Sequence, residues 1–333
     1  GPAMKIDVFN HVFPPEFFEK VDGLMPDAAV KRWKSMETIH NMDARLRMLD
    51  EFDDYQQIIS MSQPPIDSIA GPNDSPALTR VANDGMAKIC REHPDRMPWF
   101  IASLPMNNTE EALAEIDRAI DELGAVGFQL FTNVNNKALD QPEFRDIFAK
   151  IAARGKTIWL HPTRPATHPD YLTEDRSFYE IFWGFGWAYE TSAAMARIVC
   201  SGMFDEIPNL KIIAHHWGAY TPHAEGRFTP SWESRNAEMG DGKSFRDTLK
   251  KPMIDYFKNF YGDTAMFGAQ AASQAGLDFF GADHSFFATD CPYDEEGGAR
   301  LIRSTIGVIE ELRCSEADRL MMFESNTKKM IGV

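Results

Sequence analysis

The amino-acid sequence predicts an α/β fold, a (β/α)8 TIM barrel, running as a single domain over residues 4–333 with a long aromatic-rich excursion after the fifth strand. Three observations carry this. Eight short apolar runs rich in strand-forming residues are spread along the chain, and most are separated by a segment of helical period. Four of these runs end abruptly at an ionisable side chain: Lys5 to His11, Thr157 to His161, Lys211 to His215, and Ser285 to Asp290. Buried parallel strands that release polar groups at their C-terminal ends are how a barrel builds its site. A chain of 333 residues is also of ordinary size for one such barrel.

In chain order the strand-like runs fall at residues 4–9, 57–61, 99–104, 126–131, 157–160, 211–214, 260–264 and 285–289. The segments between them have helix signals of their own. Residues 76–93 place Leu78, Val81, Met86 and Ile89 on one side, with Pro94 beyond the end. Asn108 precedes Glu111 at capping-box spacing, Leu113, Ile116, Ile120 and Leu123 make the stripe, and Gly124 stops the helix. Pro142 suits a first helical turn; Phe144, Ile147, Phe148 and Ile151 follow, and Gly155 ends the run. These stripes are core, packed on the outside of the barrel.

Two excursions break the alternation. Residues 14–42 hold Trp33 and several Met with little period, and residues 162–189 hold Tyr171, Phe178, Tyr179, Phe182, Trp183, Phe185, Trp187 and Tyr189. Loops of this length serve as lids or subunit contacts. The aromatic set reads either as an arm buried at a dimer interface or as one that in part lines a substrate pocket, with Trp183 and Trp187 as its candidate walls.

The charge balance, 34 basic against 50 acidic residues for a net of −16, repels phosphate backbones and anionic lipid, so neither nucleic acid nor membrane surface is an expected partner. Cys90, Cys200, Cys291 and Cys314 are widely spaced with no CxxC and read as reduced thiols of a cytoplasmic protein. No signal-peptide pattern is seen, and no apolar run approaches the ~18 residues of a membrane span. Gly1, Pro2 and Ala3 read as a tag-cleavage remnant, with Met4 as the natural start.

Three strand-end His and one strand-end Asp in the places a barrel site would use point to metal binding or proton transfer. His216, next to His215, should point away from the pocket if the strand continues. His40, His93, His168 and His284 read as structural, and His223 and Arg227 lie further along the loop after His215. Arg164, two residues beyond Pro162, is placed near the mouth to pair with a substrate carboxylate; Arg45 and Arg47 are further candidates of that kind. Cys291 adjoins Asp290 but lacks an activating base, so no nucleophilic role is assigned to it.

The motifs Lys5-Ile-Asp-Val, Arg47-Met-Leu-Asp50, Gly127-Phe-Gln-Leu-Phe-Thr-Asn-Val-Asn135, Trp159-Leu-His-Pro162, Ala214-His215 with Gly218, Gly226-Arg227, and Ala288-Thr-Asp-Cys-Pro292 follow one another in a telling order and spacing. Through them the chain resembles, nearly end to end, the amidohydrolase superfamily and within it the branch of aminocarboxymuconate-semialdehyde decarboxylase and related non-oxidative decarboxylases. The resemblance implies His11 and His161 as metal ligands, His215 as the catalytic His, and Asp290 as a ligand that also moves a proton. It implies a homodimer as well.

The chain departs from that branch at Phe9, which stands where the first strand carries the first His of a His-x-His pair. Residues two apart on a strand share a face, so Phe9 should border the same site as His11, touching substrate without ligating. Three outcomes follow. His11, His161 and Asp290 hold a divalent ion alone, as three-ligand catalytic sites do. Alternatively His215, His216 or Asp7 replaces the missing ligand. Or the imidazoles and Asp290 bind substrate without metal. For the ion, imidazole and carboxylate suit Zn2+ first and Mn2+ second.

The implied reaction is loss of CO2 from a small aromatic or unsaturated carboxylic acid, with the ion orienting the acid and Asp290 or His215 supplying the proton. A metal-bound water at the same residues would instead make a hydrolase or hydratase acting on an ester, lactone or C–C bond. A metal-free binding protein or pseudoenzyme is the reading from a third class.

Overall fold

In the computed structural model, which describes residues 3–238, 240, 242 and 244–333, eight parallel strands form the expected barrel. They are β1 (Lys5–Val12), β2 (Tyr55–Met61), β3 (Trp99–Phe100), β4 (Gly127–Phe131), β5 (Thr157–His161), β6 (Ile212–Ala214), β7 (Tyr261–Asp263) and β8 (Ser285–Phe286). Residues 1 and 2 of the expected remnant lie outside the described residues. β1, β2 and β3 pair in that order, and β4 to β8 form a second run. The two runs join where Ala102 bridges Phe128. They close where the Val8 amide donates to the Phe287 carbonyl at 2.9 Å and the Asp290 amide to the Phe9 carbonyl at 3.1 Å. Closure leaves no free strand edge.

Apolar side chains fill the space on both sides of the strands. Ile6, Val8, Phe9, Ile58, Ile101, Trp159, Ile213 and Phe286 pack one another inside the barrel, all at most 2% exposed. A larger cluster joins Ile59, Phe128 and Leu160 of the strands to Ile116, Phe148 and Ile198 of the helices. Trp159 crosses the interior, donating from Nε1 to the Val8 carbonyl at 2.9 Å. A Cβ at position 127 would overlap the Trp159 ring, which is why Gly127 opens β4.

The helices between strands follow their sequence signals. Helix Ser75–Glu92, helix Thr109–Asp121 with the Glu111 amide donating to Asn108 Oδ1, and helix Pro142–Ala153 with Pro in its first turn all form. Gly124 and Gly155 take φ of +75° and +69° just past their ends. The first excursion is not aperiodic coil: it folds into helices Pro15–Phe18, Asp27–Ser35 and Glu37–His40, of which only Asp27–Ser35 is long enough to bury one face, through Val30 and Trp33. After β4 a small antiparallel ribbon, Asn133–Val134 against Lys137–Ala138, turns through Asn135 and Asn136, both at positive φ.

The aromatic excursion runs irregularly to a π-helical turn, Phe182–Gly186, that leads into helix Trp187–Cys200. Its side chains divide. Tyr171, Tyr179, Trp183, Phe185 and Tyr189 are exposed, whereas Phe182 and Trp187 turn inward over the C-terminal end of the barrel. No helix among the described residues is long and apolar enough to cross a membrane.

Candidate metal centre and substrate cavity

His11, His161, His215 and Asp290 converge at the C-terminal ends of β1, β5, β6 and β8, all buried, each offering a ligand atom within 4.8 Å of the others. His11 Nε2 lies 2.9 Å and His215 Nε2 3.4 Å from Asp290 Oδ1. Each imidazole has its other nitrogen held by the protein. His11 Nδ1 is 3.0 Å from Ser60 Oγ, His161 Nδ1 is 2.7 Å from the Pro162 carbonyl, and His215 Nδ1 is 2.7 Å from Asp263 Oδ2. Fixing Nδ1 from behind orients the ring and presents Nε2 forward, which is the outer support that metal-binding imidazoles have. The donor set therefore fits a divalent ion.

The electrostatics split the cluster. Burial lowers the pKa of His161 and His11, more than the neighbouring Asp290 raises it, so both rings are neutral and able to ligate. For His215 burial also acts downward, but Asp263 and Asp290 outweigh it and push the ring up to about 9. Burial raises Asp290, yet the hydrogen bonds from His11 and His215 hold its carboxyl well below the usual range. Burial pushes the Cys291 thiol up to about 12, which keeps it protonated.

Phe9 lies where the alternation of β1 places it, and a bulge helps. The pairing of β1 with β2 slips between Asp7 and Asn10, so Val8 and Phe9 both pack inside the barrel. The Phe9 ring centroid is 4.1 Å from that of His215 and 5.7 Å from that of His161, making it an apolar wall of the cluster. Asp7 does not replace the missing ligand. Its oxygens accept from Tyr55 Oη, Thr289 Oγ1 and the amides of Phe9 and Thr289, and burial pushes its carboxyl up to about 6.

Two expectations are corrected by the geometry. His216 does not turn away: β6 ends at Ala214, and His216 and Trp217 take φ of +54° and +48°, which cancels strand alternation. Its ring stacks on His215 at 3.7 Å and its Nε2 comes 3.9 Å from Asp290 Oδ2. Arg45 is not at the mouth either. It is fully buried beneath the site, donating to Gln57 Oε1, Asn10 Oδ1 and the carbonyls of His11 and Thr38. Arg47 is exposed on helix Met42–Leu49.

Beside the cluster a cavity of about 500 Å3 opens among the loops that follow the strands. Trp187 and Arg164 line it, as do Trp33, Gln63, Asp67 and Phe182. The Trp187 ring is 5.8 Å from that of His161; Trp33 is 6.2 Å from Tyr293, which is 5.3 Å from His11. Arg164 donates to Glu190 Oε1 at 2.9 Å and leaves its Nε without a partner. Trp183 is outside this lining, 50% exposed, with its ring 6.3 Å from Phe267. Sequence reading overlooked Asp263, although its run Tyr261-Gly-Asp ends in an acid as the run Ser285 to Asp290 does, and overlooked Tyr293, which carries no such signal.

Comparison with known proteins agrees with this geometry. The profile of the family described as amidohydrolase matches residues 6–333. A gamma-resorcylate decarboxylase of Polaromonas sp. (strain JS666 / ATCC BAA-500) is 30% identical over 341 residues, covering 98% of each chain. The gamma-resorcylate decarboxylase of Rhodococcus jostii (strain RHA1) is 29% identical over 340 residues, 97% of this chain and 96% of its own. Among solved structures, a dihydroxybenzoic acid decarboxylase from Polaromonas sp. JS666, with bound manganese and the inhibitor 2-nitroresorcinol, superposes with a TM-score of 0.78 at 26% identity over 99% of this chain and 97% of that one. The 5-carboxyvanillate decarboxylase of Sphingomonas paucimobilis shares the fold, with a TM-score of 0.84 at 23% identity over all of both chains. With the barrel, the strand-end cluster and a match that runs through to the last residue, this chain belongs to the amidohydrolase family.

Proposed function

We propose that the chain is a metal-dependent, non-oxidative decarboxylase, a carboxy-lyase that removes CO2 from a small aromatic or unsaturated carboxylic acid. The observation that carries this reading is the buried convergence of His11, His161, His215 and Asp290 beside a largely apolar cavity, in a chain whose relatives are named as decarboxylases of aromatic acids. His11, His161 and Asp290 would hold the ion, and Phe9, which cannot ligate, borders them as an apolar wall. Two imidazoles and a carboxylate accept Zn2+ or Mn2+. The manganese bound in the Polaromonas decarboxylase moves Mn2+ ahead of Zn2+.

When bound, the ion supplies positive charge for the substrate carboxylate and an adjacent phenol or enol oxygen. The protein's own residues do the rest. Phe9 and Trp187 wall the reacting carbon from water, and Arg164 offers its unpartnered Nε to the acid from the cavity side. Trp183, further out, shields the mouth. As the C–C bond breaks, the electron pair left on carbon takes a proton from His215 Nε2, and CO2 leaves. Asp263 holds the other nitrogen of that ring and balances its charge. Asp290, kept ionised, holds His11 and His215 in register.

The test is CO2 release from a panel of hydroxybenzoates by protein loaded with Mn2+ or Zn2+. Release that needs the ion supports the reading; ester or lactone hydrolysis with no CO2 from any acid would replace it with the hydrolase. Residues 4–333 act as one unit in this account. We place the protein in the cytoplasm on its four free thiols, and as a homodimer through the exposed arm of Tyr171, Tyr179, Trp183, Phe185 and Tyr189.

A further inference from the structure

The cavity beside the cluster is walled mainly by apolar side chains, Met25, Pro65, Ile69, Phe182 and Trp187 among them, yet it keeps an edge of buried polar atoms that nothing in the protein satisfies. Asp67, on the short helix Ile66–Ile69, is 7% exposed, and its Oδ2 has no hydrogen-bond partner. Gln63 Oε1, four residues earlier on the same loop, also has none. Among the described residues no Lys, Arg or His forms an ion pair with Asp67. Burial pushes its carboxyl up to about 6. Gln129 leaves its Oε1 unpaired in the crevice that Asp67 also borders, its amide nitrogen being committed to the Met61 carbonyl. These three unmet groups are acceptors, whereas the unmet donors of the cavity wall, Trp33 Nε1 and Arg164 Nε, come from other segments.

Buried acceptors without donors are costly and rare in folded proteins, and several on one cavity wall are completed by a donor from a ligand. The cavity adjoins the cluster: its wall residue Trp187 packs against His161, and its wall residue Trp33 packs against Tyr293, which in turn packs against His11. An acid whose carboxylate sits at the cluster therefore turns its far edge into the cavity. The geometry points to Asp67, with Gln63 beside it, as the determinant of substrate choice, accepting a hydrogen bond from a hydroxyl or amino group that the acid carries away from its carboxylate. This assignment rests on the decarboxylase reading for the direction in which the acid lies. It goes beyond that reading by naming the residue that selects among such acids and the substituent selected.

The test is equilibrium binding of Mn2+-loaded protein, by calorimetry, to salicylate and to three acids that add a ring donor to it: gentisate, beta-resorcylate and para-aminosalicylate. At least one of the three binds the unaltered protein roughly tenfold more tightly than salicylate, the discrimination a site built around a hydrogen bond achieves. In Asp67→Leu that ratio falls to within about twofold, because the acceptor is gone; Asp67→Ala serves if the Leu variant fails to fold. Equal binding of all four acids to the unaltered protein overturns the assignment, as does a preference that survives in the variants. Binding and CO2 release are measured separately, so the two proposals fail separately. An Asp67-dependent preference with no CO2 release from any acid sinks the decarboxylase reading alone; CO2 release with an Asp67-independent preference sinks this one alone.

Discussion

Beneath the cluster of His11, His161, His215 and Asp290 and above it, buried polar groups are treated in opposite ways. Below, where β1 meets β8 and β2, Asp7, Asn10, Arg45, Tyr55, Gln57 and Thr289 are all buried, and none of their side-chain N or O atoms lacks a hydrogen-bond partner. The links run in series: Arg45 to Gln57, Gln57 to Tyr55, Tyr55 to Asp7, and Thr289 to Asp7. Above, on the cavity wall, Trp33, Gln63, Asp67 and Arg164 each keep a buried atom unpaired. A satisfied network fixes strands, and so sets where His11 and Asp290 stand; unsatisfied atoms are left where a ligand completes them. One region is built for position and the other for recognition.

The largest effect that would break this comparison is in the floor. Arg45→Met removes donors from Gln57, Asn10 and the carbonyls of His11 and Thr38, all buried, and should cost roughly 3–5 kcal/mol in urea unfolding. A loss within about 0.5 kcal/mol, the range of a surface substitution, would show that the network positions nothing.

The wall predicts a pH dependence of the next size. Asp67 has a folded pKa of about 6 against 3.8 for the ordinary carboxyl. Between those values the folded chain keeps a proton that the unfolded chain releases, so stability falls as pH rises through this window, by up to roughly 3 kcal/mol from this group. Unfolding free energies from acid to neutral pH should fall less steeply in Asp67→Asn. An unchanged slope contradicts the buried, unpartnered placement.

Phe9→His sharpens the floor's role by restoring a pair with His11. It adds a donor next to the cluster and should tighten the metal by roughly tenfold or more, read by competition with a chromogenic chelator. The smallest folding effect belongs to the outer arm. Trp183→Ala with Phe185→Ala should leave the melting temperature of dilute protein nearly unchanged and shift sedimentation toward monomer; a dimer of undiminished strength would remove the arm from the interface.

The floor was easier to read in the sequence than the wall, for a physical reason. β1, β5, β6 and β8 are buried on both faces, so they read as mostly apolar runs, and the ionisable residue at the C-terminal end stands out as His11, His161, His215 or Asp290, although β1 also carries the buried Asp7 and Asn10. Phe9 is placed by the same strand geometry. That logic stops where the strand stops. Strand alternation points His216 outward, but the chain turns left-handed there and stacks the ring on His215, with Nε2 facing Asp290. Asp263 ends a strand of only three residues, whose Gly262 weakens the apolar signal. The wall comes from separate loops and short helices around Trp33, Asp67, Arg164 and Trp187, and their convergence depends on the closed barrel rather than on any local pattern. Arg45 was misplaced for a related reason. A buried guanidinium satisfied by neutral acceptors reads in sequence like any other surface Arg.

The central claim is that His11, His161 and Asp290 hold an ion while His215, backed by Asp263, moves the proton. The most direct test measures metal per chain by elemental analysis alongside CO2 release, in the unaltered protein, His161→Ala and His215→Gln. The account predicts a full equivalent of metal in the unaltered protein, its loss with activity in His161→Ala, and metal retained in His215→Gln with CO2 release reduced by roughly 10²–10⁴-fold. Loss of the ion in His215→Gln would make His215 the ligand that replaces Phe9's missing imidazole, and the proton donor would have to be another group.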